Sequence, residues 1–126
     1  MKINATGISL NVADVAASAR FAQTHFGFTE AMSAEGFVSL AHPSAAVNVI
    51  FLATGLPTFK PARIAGPAGQ GLLLVFEVDD IDAEHERLAA AGVSVVTAPE
   101  TEPWGERYSQ YADPNGIIWQ LVQWMR

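Results

Sequence analysis

The chain contains no cysteine, which excludes disulfides, thiolate chemistry and any cysteine-ligated zinc or iron–sulfur site. It has no uninterrupted apolar run of about 18 residues, the length that reads as a membrane-crossing helix. No basic segment leads into an apolar core at its start, so a cytoplasmic location without a membrane partner is expected. Basic residues are also scarce: seven Lys and Arg stand against thirteen Asp and Glu, for a formal charge of −6 and a pI near 4.8. With no basic run, the surface repels phosphate backbones, and nucleic acid is not an expected partner. The acidic balance serves solubility and would also draw in a cationic small molecule. What the chain does have is apolar material, half of its 126 residues, enough for a domain core without staples.

The order of patterns repeats. Residues 3–12 alternate and are β-branched, which reads as a strand. Asp14 then opens an alanine-rich helix with an apolar stripe at Val15, Ser18, Phe21 and Ala22, and Gly27 stops it. Residues 28–32, 36–41 and 46–53 read as three short strands. A Gly- and Pro-rich stretch over 54–71 has no period of its own and reads as a linker or mobile flap. The second half begins again with an apolar strand at 72–78, a helix at 81–91 capped by Asp79-Asp80 and ended by Gly92, and strands at 93–98, 108–112 and 117–124. Asp113-Pro114-Asn115-Gly116 is expected to form a hairpin turn, its Asn-Gly favouring positive φ. The expected fold class is α+β: one domain over 1–126 made of two tandem βαβββ modules, about 1–54 and 72–126, joined by a linker of about 55–71.

In their order, these pieces resemble the vicinal oxygen chelate superfamily of glyoxalases, bleomycin resistance proteins and extradiol dioxygenases. In the first module the resemblance rests on Ser9-Leu10-Asn11-Val12-Ala13-Asp14, Phe21 and Gly27-Phe28. In the second it rests on Glu77 to Asp82, Leu88 to Val93, Pro103-Trp104-Gly105 and Asp113-Pro114-Asn115-Gly116. The resemblance implies curved mixed sheets around a concave cavity, helices on the convex side, and a homodimer.

It also implies four metal-ligand positions, commonly His, Glu or Gln. Counting from the motifs puts them at Gly7, five before Val12; near Phe51; at Leu73, five before Val78; and at Gln120, four after Gly116. Only Gln120 offers an oxygen, and Ile50 or Leu52 in place of Phe51 would add none. One neutral amide cannot hold a divalent ion against water, so neither a metal nor another cofactor is expected.

Strand parity extends the expected lining from these positions. It runs through Gly7, Ser9 and Asn11; Val49, Phe51 and Ala53; Leu73, Val75 and Glu77; and Ile118, Gln120 and Val122, a mainly apolar set suited to a flat molecule with a polar rim. Glu77 reads as a cation acceptor or general base, or simply as a solvated strand end. Trp104 resembles the aromatic of the Pro-Trp-Gly in drug-binding members; packing or a dimer contact is the other reading. Phe59 could close over a ligand from the linker. Tyr108 and Tyr111 lie on opposite faces of one strand, and the sequence does not say which points inward; Tyr108 is counted in the candidate ligand-binding set. Trp119 is expected in the core, and Trp124 in the core or an interface. His85 falls on the inward stripe of its helix, His25 beside a helix C-terminus and His42 in a turn, none of them at a ligand position.

The function expected from the resemblance is metal-free binding of a planar or aromatic small molecule such as an antibiotic, with no catalytic residue. The alternative is a related lyase, isomerase or dioxygenase with a displaced metal site, or an acid–base catalyst using Glu77. A protein-contact module is a third possibility that no residue singles out.

Overall fold

A computed structural model describes all of residues 1–126. The elements are β1 (Thr6–Val12), α1 (Val15–Phe26), β2 (Thr29–Ala34), β3 (Phe37–His42), β4 (Ala45–Ala53), β5 (Leu73–Glu77), α2 (Ile81–Ala90), β6 (Ser94–Thr101), β7 (Glu106–Ala112) and β8 (Ile118–Trp124). The chain divides into two compact units, Met1–Gly69 and Gln70–Arg126. Each is a βαβββ module with one four-stranded mixed sheet, ordered β1-β4-β3-β2 in the first and β5-β8-β7-β6 in the second. This is the expected α+β class with two tandem modules. In both units the first strand pairs with the last in parallel.

Local chemistry sets the helix ends. Asp14 and Asp80 take extended backbone, and each carboxylate accepts from the backbone N–H three residues on, at Ala17 and Ala83, at 3.1 Å. Gly27, at φ 74°, ends α1 in the left-handed conformation that costs glycine least. In the second unit Ala91 is the cap, and Gly92 turns the chain just after it. The start of α2 gains a second acceptor, because Gln123 of β8 reaches the Ile81 N–H at 3.0 Å. Helix α1 buries Ser18, Ala19, Phe21 and Ala22, leaving Val15 half-buried. The stripe is therefore rotated slightly from the expected one.

Each helix packs against its own sheet. The first core joins Phe21 and Ala22 to Leu10, Val12, Val38, Leu40, Val49 and Phe51; the second joins Ile81 and Leu88 to Leu74, Tyr111, Trp119 and Leu121. Burial of an aliphatic or aromatic side chain of this kind contributes about 1.5–3 kcal/mol. Trp119 stacks on Phe76 at 5.8 Å.

Two expectations change. Residues 54–71 are not patternless: they hold a 3₁₀ turn at Ala62–Ile64, and the Asn11 amide donates to Ile64 O at 2.7 Å and Gly66 O at 2.8 Å. Ala68 N–H returns to Asn11 O, so a long-range side chain supplies the order that local pattern lacks. In the 113–116 turn only Gly116 has positive φ, 82°. Asn115 does not, because Asp113 takes over the turn: its Oδ1 accepts from the Asn115 N–H at 2.9 Å and the Ile117 N–H at 3.0 Å. Its Oδ2 accepts from the Trp119 indole at 3.3 Å. Asp113 is itself buried.

Two predictions follow from these contacts. Asp113→Ala removes the carboxylate that accepts from two backbone donors and a buried indole, so chemical denaturation should show a loss of about 2–4 kcal/mol. Asp113→Asn, which keeps an acceptor, should lose less; an unchanged midpoint in Asp113→Ala would refute the anchor. Asp82 on α2 and Arg107 on β7 form a two-point pair at 2.7 and 3.1 Å, and the Arg107 hydrogen bond holds the Asp82 carboxyl below its ordinary range. A carboxyl with a depressed folded pKa stabilises above its unfolded pKa, and that contribution vanishes as pH falls through the folded value. Melting temperature should therefore drop on acidification below roughly pH 4, and less steeply in Asp82→Asn. Parallel acid limbs in the two proteins would exclude this pair as a contributor.

Candidate functional site

A helix on one face of each sheet leaves the other face open, and strand parity sorts the side chains between them. In the first unit Leu10 and Val12 point to the helix, while Gly7, Ser9 and Asn11 take the open face. Parallel partners share a face, so register places Asn48, Ile50 and Leu52 of β4 beside them. Phe51 is thus corrected: it pairs with Leu10 and Val38 and is fully buried on the helix side, together with Val49. The count slipped by one because β4 has no nearby glycine or aspartate to anchor it. Asn11 lies on the open face as expected, but its amide Nδ2 is spent on the linker carbonyls. Its evident role is to hold residues 64–66. Gly7 is not there for want of space, since a Cβ would meet Ile50 and Asn48 only at 3.5 and 3.6 Å.

In the second unit the expected parity holds. Leu74 and Phe76 face the helix, and Leu73, Val75 and Glu77 the open side, in register with Ile118, Gln120 and Val122 of β8. The next strand adds Tyr108 opposite Val122 and Gln110 opposite Gln120. Tyr108 is therefore the open-face tyrosine. Tyr111 is fully buried on the other side, its hydroxyl donating to Ser109 at 3.0 Å and lying 2.9 Å from His85 Nδ1. His85 is thus held by a core tyrosine. His42 accepts from the Ser44 N–H and packs edge-on to Phe28; His25 packs on Phe21.

Sequence reasoning missed a polar row across this face. Thr97 of β6 donates to Gln110 Oε1 at 2.8 Å, and Gln110 Nε2 donates to Gln120 Oε1 at 2.9 Å. The clue was available in the spacing, since Gln110 is two residues from Tyr108. At the rim, Tyr108 donates to Glu100 at 3.3 Å. Partial desolvation, with the Glu100 and Glu102 charges behind it, raises the phenol pKa above its ordinary value. Trp104 is 66% exposed at the tip of the 102–105 turn, its indole donating to Glu106 at 3.2 Å. That turn requires Gly105 (φ 93°), where a Cβ would sit 2.9 Å from Met125 O. Trp124 lies opposite Glu106 and is exposed, so it is not a core residue. Glu77 ends β5 in solvent. Phe59 is half-buried within the linker, its N–H bonded to Leu56 O.

These residues do not fit a divalent metal. Gly7, Ile50, Leu52 and Leu73 have no donor atom, Gln120 Oε1 already accepts from Gln110, and no three His, Cys, Asp or Glu side chains converge anywhere in the chain.

Residues 2–121 match the model of the Glyoxalase/Bleomycin resistance protein/Dioxygenase superfamily. A curated relative, uncharacterized protein Mb0911c of Mycobacterium bovis, is 34% identical over 92 residues, 69% of this chain; the aligned stretch spans only 60% of that relative's length. Among solved structures, a glyoxalase/bleomycin resistance protein/dioxygenase from Nocardioides superposes with a TM-score of 0.82 at 26% identity, covering 100% of this chain and 86% of its own. TnmS3, an antibiotic binding protein from Streptomyces sp. CB03234, gives 0.75 at 26% identity, covering 98% and 97%. Lactoylglutathione lyase from Agrobacterium tumefaciens gives 0.76 at 19% identity over 97% and 94%, a likeness of fold alone. With its paired βαβββ modules and a family match along nearly its whole length, the chain belongs to the glyoxalase/bleomycin resistance protein/dioxygenase superfamily.

Proposed function

We propose that the chain binds a planar or aromatic small molecule on the open face of its Gln70–Arg126 unit and sequesters it, without metal chemistry. The observation that carries this reading is a contiguous apolar patch on adjacent strands. Leu73 and Val75 are 41% and 52% exposed, with half-buried Ile118 beside them and buried Val122 and the nearly buried Gln120 amide beneath. Single exposed aliphatics are ordinary; a clustered set around a polar handle is the composition of a ligand surface. Similarity to TnmS3, described as an antibiotic binding protein, supports an antibiotic as the class of ligand.

Magnitudes limit what the patch alone can do. A flat ring system burying about 150–250 Å² gains roughly 4–6 kcal/mol at about 25 cal/mol per Å², a Kd between millimolar and tens of micromolar before association costs. Tighter binding needs stacking and hydrogen bonds, for which Trp104, Tyr108 and Gln120 are the candidates. The second reading, an acid–base catalyst, is favoured by one observation: Glu77 is exposed on the same face, two residues beyond Val75, with no side-chain hydrogen bond.

Titrating a library of planar compounds against tryptophan fluorescence should find a binder, with Trp104→Ala weakening it about tenfold. Mass spectrometry of the released compound should return it unchanged. Absence of any binder would refute the proposal; a converted product that disappears in Glu77→Gln would establish the catalyst instead.

A further inference from the structure

We infer that Gln120 reads the ligand through its amide N–H₂, with Gln110 and Thr97 acting as positioning residues behind it, and that the open face therefore selects planar molecules carrying a carbonyl oxygen. The inference rests on the binding reading above and names the ligand class for the same face.

A glutamine amide has an accepting end and a donating end of nearly the same shape, and its partners decide which faces outward. In the structure the order runs from the edge strand inward. Thr97 Oγ1 donates to Gln110 Oε1 at 2.8 Å. Gln110 turns its N–H₂ toward Gln120 and donates to Gln120 Oε1 at 2.9 Å. Gln120 has given up its oxygen and keeps its nitrogen. The residue is only 8% exposed, yet no fully buried side-chain nitrogen or oxygen in the chain lacks a partner. Its Nε2, which has no protein partner, is therefore the atom that reaches the open surface.

The surroundings favour the same orientation. One strand row along, Glu77, Val122, Tyr108 and Glu100 lie side by side across the sheet, and carboxylates near the face stabilise an outward donor over an outward oxygen. The nearest neighbours of the amide on β5 and β8 are Val75, Leu73 and Ile118, none of which can accept a hydrogen bond. A flat ligand lying on these side chains takes the amide out of water. It must then offer an acceptor or leave a buried donor unpaired.

Matched probes test this: 9-fluorenone and fluorene share a ring frame and differ by a carbonyl in place of a methylene. Tryptophan quenching should give fluorenone a Kd roughly tenfold or more below that of fluorene. In ¹⁵N spectra the Gln120 side-chain N–H₂ pair should shift with fluorenone and not with fluorene. Gln110→Glu places an acceptor-only carboxylate behind Gln120 and turns the amide round, so the preference should fall to about one or invert. Thr97→Val should reduce it. Both variants should keep the dispersed ¹⁵N spectrum of the folded chain, which separates a lost preference from lost folding. Equal affinity for the two probes in the unaltered chain would overturn the donor assignment while leaving the binding reading intact. A preference unmoved by Gln110→Glu would overturn the relay. Failure of both probes to bind would count against the binding reading, and this inference would fall with it.

Discussion

One helix can cover only one face of a four-stranded sheet, and both units are built on that constraint. Side chains alternate between faces along a strand, so once Asp14 and Asp80 start α1 and α2 after their respective first strands, parity divides each sheet. Leu10, Val12 and Phe51 become core in one unit, and Leu74, Trp119 and Tyr111 in the other. Tyr108 and Tyr111 show the consequence: three positions apart on β7, one is sealed against Trp119 and the other lies beside Val122 on the open side. Asp113 reinforces the division by tying the turn before β8 to the indole that fills the second core.

The two units fill the same frame with different open faces. The first presents Gly7, Ser9 and Asn11 beside Asn48, Ile50 and Leu52, and commits Asn11 to holding the segment after β4. The second presents Leu73, Val75, Ile118 and Val122 around a hydrogen-bonded row running from Thr97 through Gln110 to Gln120. An apolar surface with one oriented amide has little to offer a metal ion and much to offer a flat organic molecule. That contrast, rather than membership of a superfamily that includes enzymes, supports binding as the function.

Most of the fold was legible because its signals are local. Asp14, Gly27, Asp80 and Gly92 mark the helix ends, and two apolar strands precede them at matching distances. The open face of the second unit was legible for the same reason: Val78 and Gly116 stand within a few residues of the strands they index. Phe51 was misplaced because β4 has no such anchor, and one residue of slip exchanges the faces. The order in the linker was hidden because it is imposed by Asn11, more than fifty residues away along the chain. The row Thr97, Gln110, Gln120 was hidden because it crosses three strands, and cross-strand register is not written in any one of them. Trp124 is exposed opposite Glu106 rather than buried in the core, and its residue type near the end of a strand does not distinguish the two.

The central claim is that the open face of the second unit is the ligand surface. Methyl NMR with selectively labelled Leu, Ile and Val tests it most directly, because reporters occupy both faces of the same strands. On addition of a planar binder, the methyls of Leu73, Val75, Ile118 and Val122 should shift while those of Leu74, Leu88 and Leu121 stay within the spread of the free protein. Shifts concentrated on the helix-facing set, or on the methyls of the Met1–Gly69 unit, would contradict the account.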